Sequence, residues 1–192
     1  MSKAKLTEQE VRTRYITPAV QNAGWKDTQI REEYAITKGR IIARGGTYRR
    51  EKAKYADYLL CYKPHIPLAI IEAKDNAHNI SDGMQQALDY AKSLLVPFVF
   101  TSNGEGFTFH NRLVNDGDKE INIQLSEFPS PETLWLMYKQ SQGIDDKQEE
   151  IINQPYHTDR AEKMGQSLFL WDSLNAATEY PPTLTISTRM MQ

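Results

Sequence analysis

The chain has 192 residues, of which 40% are hydrophobic and 25% are charged, and its formal net charge is −2. This length is enough for one well-buried domain with a short appendage, and too short for two full domains. The composition excludes a disordered or fibrous protein, and the small net charge gives no sign of a nucleic-acid partner at the level of the whole chain.

The sequence carries no signal for export or membrane insertion. Its single cysteine, Cys61, lies in an apolar run, which excludes an internal disulfide and suits a reducing compartment. No apolar stretch approaches the roughly 18 residues that span a membrane, and the N-terminal segment lacks the apolar core of a signal peptide. We therefore expect a cytoplasmic protein that has no membrane partner.

The predicted elements begin with a helix over residues 7–22. Thr7 and Glu10 are spaced as a capping box, and Gly24 ends the helical pattern. A strand over residues 29–36 follows, and then a glycine-rich stretch that predicts bends or turns.

A hairpin is predicted at the centre of the chain, because two apolar runs rich in strand formers, residues 55–62 and 68–74, flank a segment with two prolines. Ser81 is the predicted N-cap of the next helix, which Pro97 ends. A later helix starts at Ser130, where proline follows at the first helical position. Between these two helices the predicted strands are residues 98–101, 107–110 and 121–125.

This order of elements, α-β-β-β-α-β-β-β-α, predicts an α/β sandwich with a central mixed β-sheet flanked by helices. Residues 1–141 form the predicted domain. Residues 142–192 are interpreted as an acidic linker followed by a C-terminal extension, with a short helix near residues 160–176.

Two charged residues, Glu72 and Lys74, end the second hairpin strand, where a buried run should hold no charge without compensation. They share one face because strand side chains alternate. Asp57, on the partner strand, shares that face if the hairpin is centred between Pro64 and His65, and not if it is centred on His65. The spacing alone leaves open a simpler interpretation, an ion pair between Glu72 and Lys74 at a strand end.

Two converging carboxylates require either a shared proton or a cation. Oxygen ligands with room for water suit Mg²⁺ or Mn²⁺ better than zinc. A lysine beside such a cation can orient or deprotonate an attacking water, and the cation can polarise a phosphate. With the register that aligns Asp57 and Glu72, the pattern therefore indicates phosphodiester hydrolysis.

Basic residues are concentrated between Lys38 and Lys54, where the one acidic residue is Glu51. Such a run is either a solvated surface loop or a patch that contacts phosphates. The candidate DNA contacts within it are Arg44, Arg49, Arg50 and Lys52.

Four segments, in the same order, resemble the N-terminal nuclease domain of type I restriction endonuclease R subunits, which is related to the RecB-like nucleases of the PD-(D/E)xK type. They are ADYLL at 56–60, LAIIEAK at 68–74, QALDY at 86–90 and FVFTSNG at 98–104. The resemblance implies a restriction-endonuclease-like sandwich. It also implies that Asp57 and Glu72 are metal ligands and that Lys74 is the catalytic lysine.

Further residues are implicated by the same resemblance. Gln86 and Tyr90 match the family's QxxxY pattern, and their i, i+4 spacing puts them on one helix face. Family members tend to carry an acidic residue in the first helix. Because Glu10 has a role in the capping box, Glu8 is the residue that we expect to face the site.

The resemblance implies cleavage of double-stranded DNA with Mg²⁺, for which Mn²⁺ can substitute, by a domain whose partners are methylation and specificity subunits. No GxxxxGK[ST] phosphate loop occurs in the sequence, so ATP is implied only for the full-length parent subunit. Two alternatives stay open, a standalone or repair-type nuclease of the same fold and a non-catalytic DNA-binding or assembly module.

Overall fold

The computed structural model describes residues 4–37, 41–44, 47–50, 53–114 and 119–153, with the backbone alone described in the two short segments. The chain divides into two compact units between Asp146 and Lys147. Within the first unit, helices cover both faces of a six-stranded sheet. The last described helix begins at the end of the first unit, and the rest of it belongs to the second unit.

The N-terminal helix begins at the predicted capping box, where the Glu10 backbone N–H donates to the Thr7 hydroxyl and the Thr7 N–H donates to the Glu10 carboxylate. Pro18 has no N–H to donate to the carbonyl four residues earlier, and in a regular α-helix its ring would clash with that carbonyl. This accounts for the wider, π-helical turn just before Pro18. The helix ends before Gly24, whose φ is +98°. Its parts are α1 (Glu8–Val11), a π-helical turn (Arg12–Ile16) and α2 (Thr17–Asn22).

The described strands are β1 (Ile30–Thr37), β2 (Ile41–Arg44), β3 (Thr47–Arg50), β4 (Lys54–Lys63), β5 (Ile66–Ala73), β6 (Phe98–Ser102), β7 (Phe107–Asn111) and β8 (Glu120–Ile123). The main sheet has the order β1-β4-β5-β6-β7-β8, and β2 and β3 form a separate two-stranded sheet. The β5–β6 pair is parallel and the other pairs of the main sheet are antiparallel, so the sheet is mixed, as predicted.

The helices after the hairpin are α3 (Met84–Leu94), α4 (Pro131–Gln142) and α5 (Asp146–Asn153). Three residues of α3 are buried against Leu59, Ile70 and Val99 on one face of the sheet. On the other face, Tyr58 shares a hydrogen bond with a side chain of α2. The α3 face of β5 is therefore the face to which Glu72, two residues beyond Ile70, also belongs.

The start of α3 differs from the prediction, because Gly83 and not Ser81 is the N-cap. Ser81 contributes its backbone carbonyl, which accepts a hydrogen bond from Met84 N at 3.1 Å. Bonds between Asn79 and Asp82 hold the preceding residues in turns, so the helix begins only after Gly83 has reversed the chain at a φ of +92°.

Other boundaries differ in detail. The glycine-rich stretch contains the short strands β2 and β3. The strand predicted over residues 121–125 ends at Ile123, because a 3₁₀ helix (Leu125–Glu127) follows it. Ser130 caps α4 as predicted, since its hydroxyl accepts from Thr133 N.

The segment interpreted as a linker contains α5 in the part that the structure describes. The helix predicted near residues 160–176 lies outside the described residues. Among the helices that are described, none combines the length and the apolar composition needed to cross a bilayer.

Candidate active site

The β4–β5 register decides whether the predicted acidic residues meet. Tyr58 pairs with Ile71, and the pairing continues through Leu60. Extended by one residue, this register sets Asp57 across from Glu72. It is the register centred between Pro64 and His65, the one that the nuclease hypothesis required, and it is followed by an irregularity after Leu60.

Glu72 is 3% exposed and lies at the centre of the candidate site. Its Oε1 atom accepts hydrogen bonds from Lys74 Nζ at 3.1 Å and from Gln86 Nε2 at 2.5 Å. Its Oε2 atom is buried and has no hydrogen-bond partner among the described residues. Burial, and then repulsion from Asp57, raises the pKa of Glu72 to about 7.

Asp57 is partly buried, and one of its carboxylate oxygens accepts a backbone hydrogen bond while the other lies near a guanidinium group. The backbone N–H of Ala73 donates to Oδ2 at 2.7 Å, and a guanidinium nitrogen of Arg12 lies 3.8 Å from Oδ1. Burial raises the pKa of Asp57, and these two groups oppose that rise. The carboxylate is thus held in place from β5 and from the N-terminal helix.

Lys74 follows the last residue of β5, and its backbone N–H donates to the Ser102 carbonyl at 2.8 Å. Burial alone would lower the pKa of its ammonium, but attraction to Glu72 and the hydrogen bond between them raise that pKa overall. Lys74 is therefore a cation at neutral pH.

Glu8 belongs to the same electrostatic cluster. Burial, and then repulsion from Asp57, raises the pKa of the Glu8 carboxyl, while Lys74 and Arg12 oppose that rise. Glu10 is held by the capping box and by an ion pair with Arg14. Of the two acidic candidates in the first helix, Glu8 is thus the one placed near the site.

The predicted pair on α3 reaches the site through one of its members. Gln86 Nε2 donates to Glu72 and lies 3.0 Å from the Tyr90 hydroxyl oxygen, to which it also donates. The i, i+4 spacing therefore links a site carboxylate to Tyr90 through Gln86. Burial raises the pKa of the Tyr90 hydroxyl, which stays protonated at neutral pH.

Arg12 is a residue of the described site that was not predicted from the sequence. It is 6% exposed, and its guanidinium contacts Asp57, Glu32 and Glu33 and lies over the Tyr58 ring, 5.1 Å from its centroid. A basic residue beside Val11 in the apolar stripe was the available signal. Its partners are on β1 and β4, far away in sequence, so the signal did not identify them.

The predicted DNA contacts lie outside what the structure describes at the level of side chains. Arg44 belongs to β2, and Arg49 and Arg50 belong to β3, where Arg49 pairs with Ile42. Lys52 falls outside the described residues. Their role in DNA binding stays a prediction.

The described residues contain no group of three or more His, Cys, Asp or Glu side chains close enough to hold a metal ion by themselves. Mg²⁺ does not require such a group, because it commonly binds through one or two carboxylates and keeps several waters. Asp57 and Glu72 supply hard oxygen donors, and the buried Oε2 atom of Glu72 has no hydrogen-bond partner among the described residues. These residues fit a hydrated Mg²⁺ or Mn²⁺ ion.

The known proteins that this chain resembles, in sequence and in structure, are subunits of type I restriction enzymes. The family described as the N terminus of type I restriction enzyme R proteins matches residues 7–129. Over 162 residues the chain is 44% identical to the type I restriction enzyme EcoAI endonuclease subunit of Escherichia coli. This aligned region covers 83% of this chain and 20% of that subunit. A fragment structure described as that of an HsdR subunit of a type I restriction enzyme from Vibrio vulnificus YJ016 matches with a TM-score of 0.71 at 32% identity, over 81% of this chain and 30% of that one. The chain thus spans between a fifth and a third of these relatives.

Proposed function

The chain belongs to the family of type I restriction enzyme R protein N termini, and from this premise we propose that it is a Mg²⁺-dependent endonuclease domain that cuts double-stranded DNA. The observation that carries the proposal is the buried Glu72 carboxylate, which interacts with both Asp57 and Lys74 and whose Oε2 atom lacks a hydrogen-bond partner among the described residues. A purely structural ion pair between Glu72 and Lys74 would not require Asp57 or leave that oxygen without a partner.

Asp57 and Glu72 are the residues that would hold the metal ion. When bound, Mg²⁺ would polarise a phosphate and lower the pKa of a bound water. Asp57 presents its oxygens in a fixed orientation, because Ala73 N–H and Arg12 hold it from two sides. Glu72 is fixed through Oε1, which leaves Oε2 as the atom available to a cation.

Lys74 supplies a positive charge rather than a base in this state. Its pKa is raised by Glu72, so the ammonium remains protonated at neutral pH and can donate hydrogen bonds to an attacking water or to a phosphate oxygen. An ammonium at this position stabilises the negative charge that develops on phosphate oxygens during hydrolysis.

Three further residues support this arrangement. Gln86 restricts the Glu72 carboxylate, and Tyr90 in turn accepts from Gln86. Such supporting contacts to metal ligands commonly change affinity or activity by roughly 10–100-fold when they are removed. Glu8 adds a third carboxylate near Asp57, and we propose that its negative charge would favour a cation held by Asp57 and Glu72.

The proposed partners of the domain rest on its family. The EcoAI relative is an endonuclease subunit of a restriction enzyme. We propose that this chain acts on duplex DNA beside methylation and specificity subunits, with ATP used only by the longer parent subunit. In this proposal Arg44, Arg49, Arg50 and Lys52 contact DNA phosphates.

The test is calorimetric binding of Mn²⁺ to the 192-residue chain and to two isosteric variants, Asp57→Asn and Glu72→Gln. Each variant removes one charge and keeps the side-chain shape. Asp89→Asn is the matched control, because Asp89 is a carboxylate on the exposed side of α3. We expect binding to be lost in both site variants and unchanged in the control.

The same proteins are then incubated with plasmid DNA and Mg²⁺. We expect nicking by the wild type and by Asp89→Asn, and none by Asp57→Asn, Glu72→Gln or Lys74→Met. If the wild type binds no Mn²⁺ at millimolar concentration, the metal site is absent and a DNA-binding or assembly role takes its place. Metal binding without nicking would contradict cleavage by this chain on its own.

A further inference from the structure

Gly83 lies against the two charged residues at the end of β5. At its N-cap position before α3, a Cβ atom would stand 2.6 Å from Lys74 Cε, 3.5 Å from Lys74 Nζ and 3.3 Å from Glu72 Cγ. Real Cβ atoms essentially never come within 3.0 Å of a non-bonded heavy atom of another residue. With the Lys74 side chain in its present position, a Cβ atom at residue 83 would overlap it.

We infer that Gly83 is a positioning residue, whose missing side chain lets the first turn of α3 close over Lys74 and hold its ammonium 3.1 Å from Glu72. The catalytic meaning of this position rests on the proposed function. The steric relationship itself depends on neither metal nor DNA.

A side chain at position 83 would displace mainly the Lys74 side chain. Gly83 is fixed in the backbone, since its carbonyl accepts from Ala87 N at 2.9 Å in the first turn of α3. Glu72 is nearly fully buried and held by Gln86. Lys74 Cε is near the free end of a flexible side chain that is 19% exposed, so rotation of this side chain toward solvent relieves the clash most easily.

The chain offers a matched control for backbone strain. Gly24 has a φ of +98°, close to the +92° of Gly83, yet a Cβ at Gly24 would meet no atom of the described residues within 4 Å. Gly24→Ala therefore places alanine in the same unfavourable left-handed backbone conformation without a steric clash. Any difference between Gly83→Ala and Gly24→Ala reports the contact with Lys74 and Glu72.

The experiment measures acetylation of Lys74 by a limiting N-hydroxysuccinimide ester in the metal-free 192-residue chain, with peptide mass spectrometry as the readout. Lys92 is the internal reference, because its side chain is 66% exposed and lies at the far end of α3. We expect Lys74 to react about threefold to fivefold faster relative to Lys92 in Gly83→Ala, the scale of losing a partly exposed ion pair. Gly24→Ala should match the wild type.

Unchanged labelling of Lys74 in Gly83→Ala would overturn the inference, as would an equal acceleration in Gly24→Ala. If Gly83→Ala does not fold, Gly83→Asn replaces it, since asparagine tolerates the left-handed region and still carries the Cβ atom. The assay contains no metal or DNA, so its result stands apart from the Mn²⁺ and plasmid tests of the proposed function.

Discussion

Gln86 Nε2 lies 2.5 Å from Glu72 Oε1, so a residue of α3 directly restrains a carboxylate of β5. Lys74 Nζ donates to the same oxygen, which leaves the other oxygen of Glu72 without a partner among the described residues. The helix after the hairpin is therefore part of the candidate site. This relationship also gives the QxxxY spacing a physical meaning, because Tyr90 accepts from the same amide.

Replacing Gln86 with leucine should weaken Mn²⁺ binding by roughly tenfold, the lower end of the range for a group that supports a metal ligand. The reason is that the Glu72 carboxylate loses one of the two donors that fix it. Gln85→Leu is the control, since Gln85 is also on α3 but contacts Asp89 at the surface. Calorimetry on both variants checks the prediction, and equal affinities would contradict it.

Mn²⁺ binding should strengthen as pH rises through about 7. The pKa of Glu72 is raised to about 7 in the metal-free chain, and the ion requires the deprotonated carboxylate. Binding isotherms at pH 6 and pH 8 measure this directly. An affinity that is the same at both pH values would exclude Glu72 as the titrating ligand.

The stability of the metal-free chain should fall as pH rises, opposite to the trend expected for Mn²⁺ affinity. The pKa of Glu72 is about 7 in the folded chain and 4.5 in the unfolded chain, so the folded state binds the proton more tightly. The resulting contribution to stability is complete below pH 4.5 and is lost as pH rises through about 7. Denaturant unfolding in EDTA should show a decline in the free energy of unfolding over this window. Glu72→Gln should remove that component of the decline, while Asp89→Asn should keep it.

Asp57→Ala should cost more stability than Asp57→Asn, by about 1–3 kcal/mol, because it leaves the Ala73 N–H without its acceptor. Asparagine keeps a side-chain oxygen for that bond. Both variants should retain the native circular dichroism spectrum and lose Mn²⁺ binding. Equal stability of the two variants would mean that the Ala73 bond contributes nothing to the fold.

Arg12→Met should lower the free energy of unfolding by about 2 kcal/mol, since the guanidinium donates to charged partners on β1 and lies beside Asp57. Arg14→Met is the control, because Arg14 is on the same helix, is 59% exposed and pairs with Glu10 at the surface. Its cost should stay within about 0.5 kcal/mol. Urea unfolding of both variants decides whether the burial of Arg12 matters.

Neutralising Arg49 and Arg50 together to glutamine should weaken DNA binding and reduce the slope of log affinity against log salt by about 2, roughly one for each lost phosphate contact. Fluorescence anisotropy with a labelled duplex at several salt concentrations measures both quantities. The control is the double variant Lys92→Gln and Lys139→Gln, which removes the same amount of positive charge from helices α3 and α4. An unchanged slope in the arginine variant would remove these residues from the DNA contacts.

Local patterns in the sequence determined much of this protein. The capping box at Thr7, the apolar runs of β4 and β5 and the α4 cap at Ser130 depend on residues a few positions apart, so they were predictable. The α/β restriction-endonuclease-like fold and the family were also predicted correctly, and the comparisons confirm both. The common face of Glu72 and Lys74 follows from the two-residue period of a strand alone.

The tertiary structure decided what depends on contacts between distant residues. The hairpin could form in two registers, and the irregularity after Leu60 accompanies the one that brings Asp57 to Glu72. Arg12 reaches Asp57 from a helix more than forty positions away, through a π-helical turn that the sequence pattern did not indicate. Gly83 replaced Ser81 as the helix cap, and it lies against Lys74. Propensity and periodicity act over a few residues. Packing across elements selects the register, the buried cation and the position where a Cβ atom would meet Lys74.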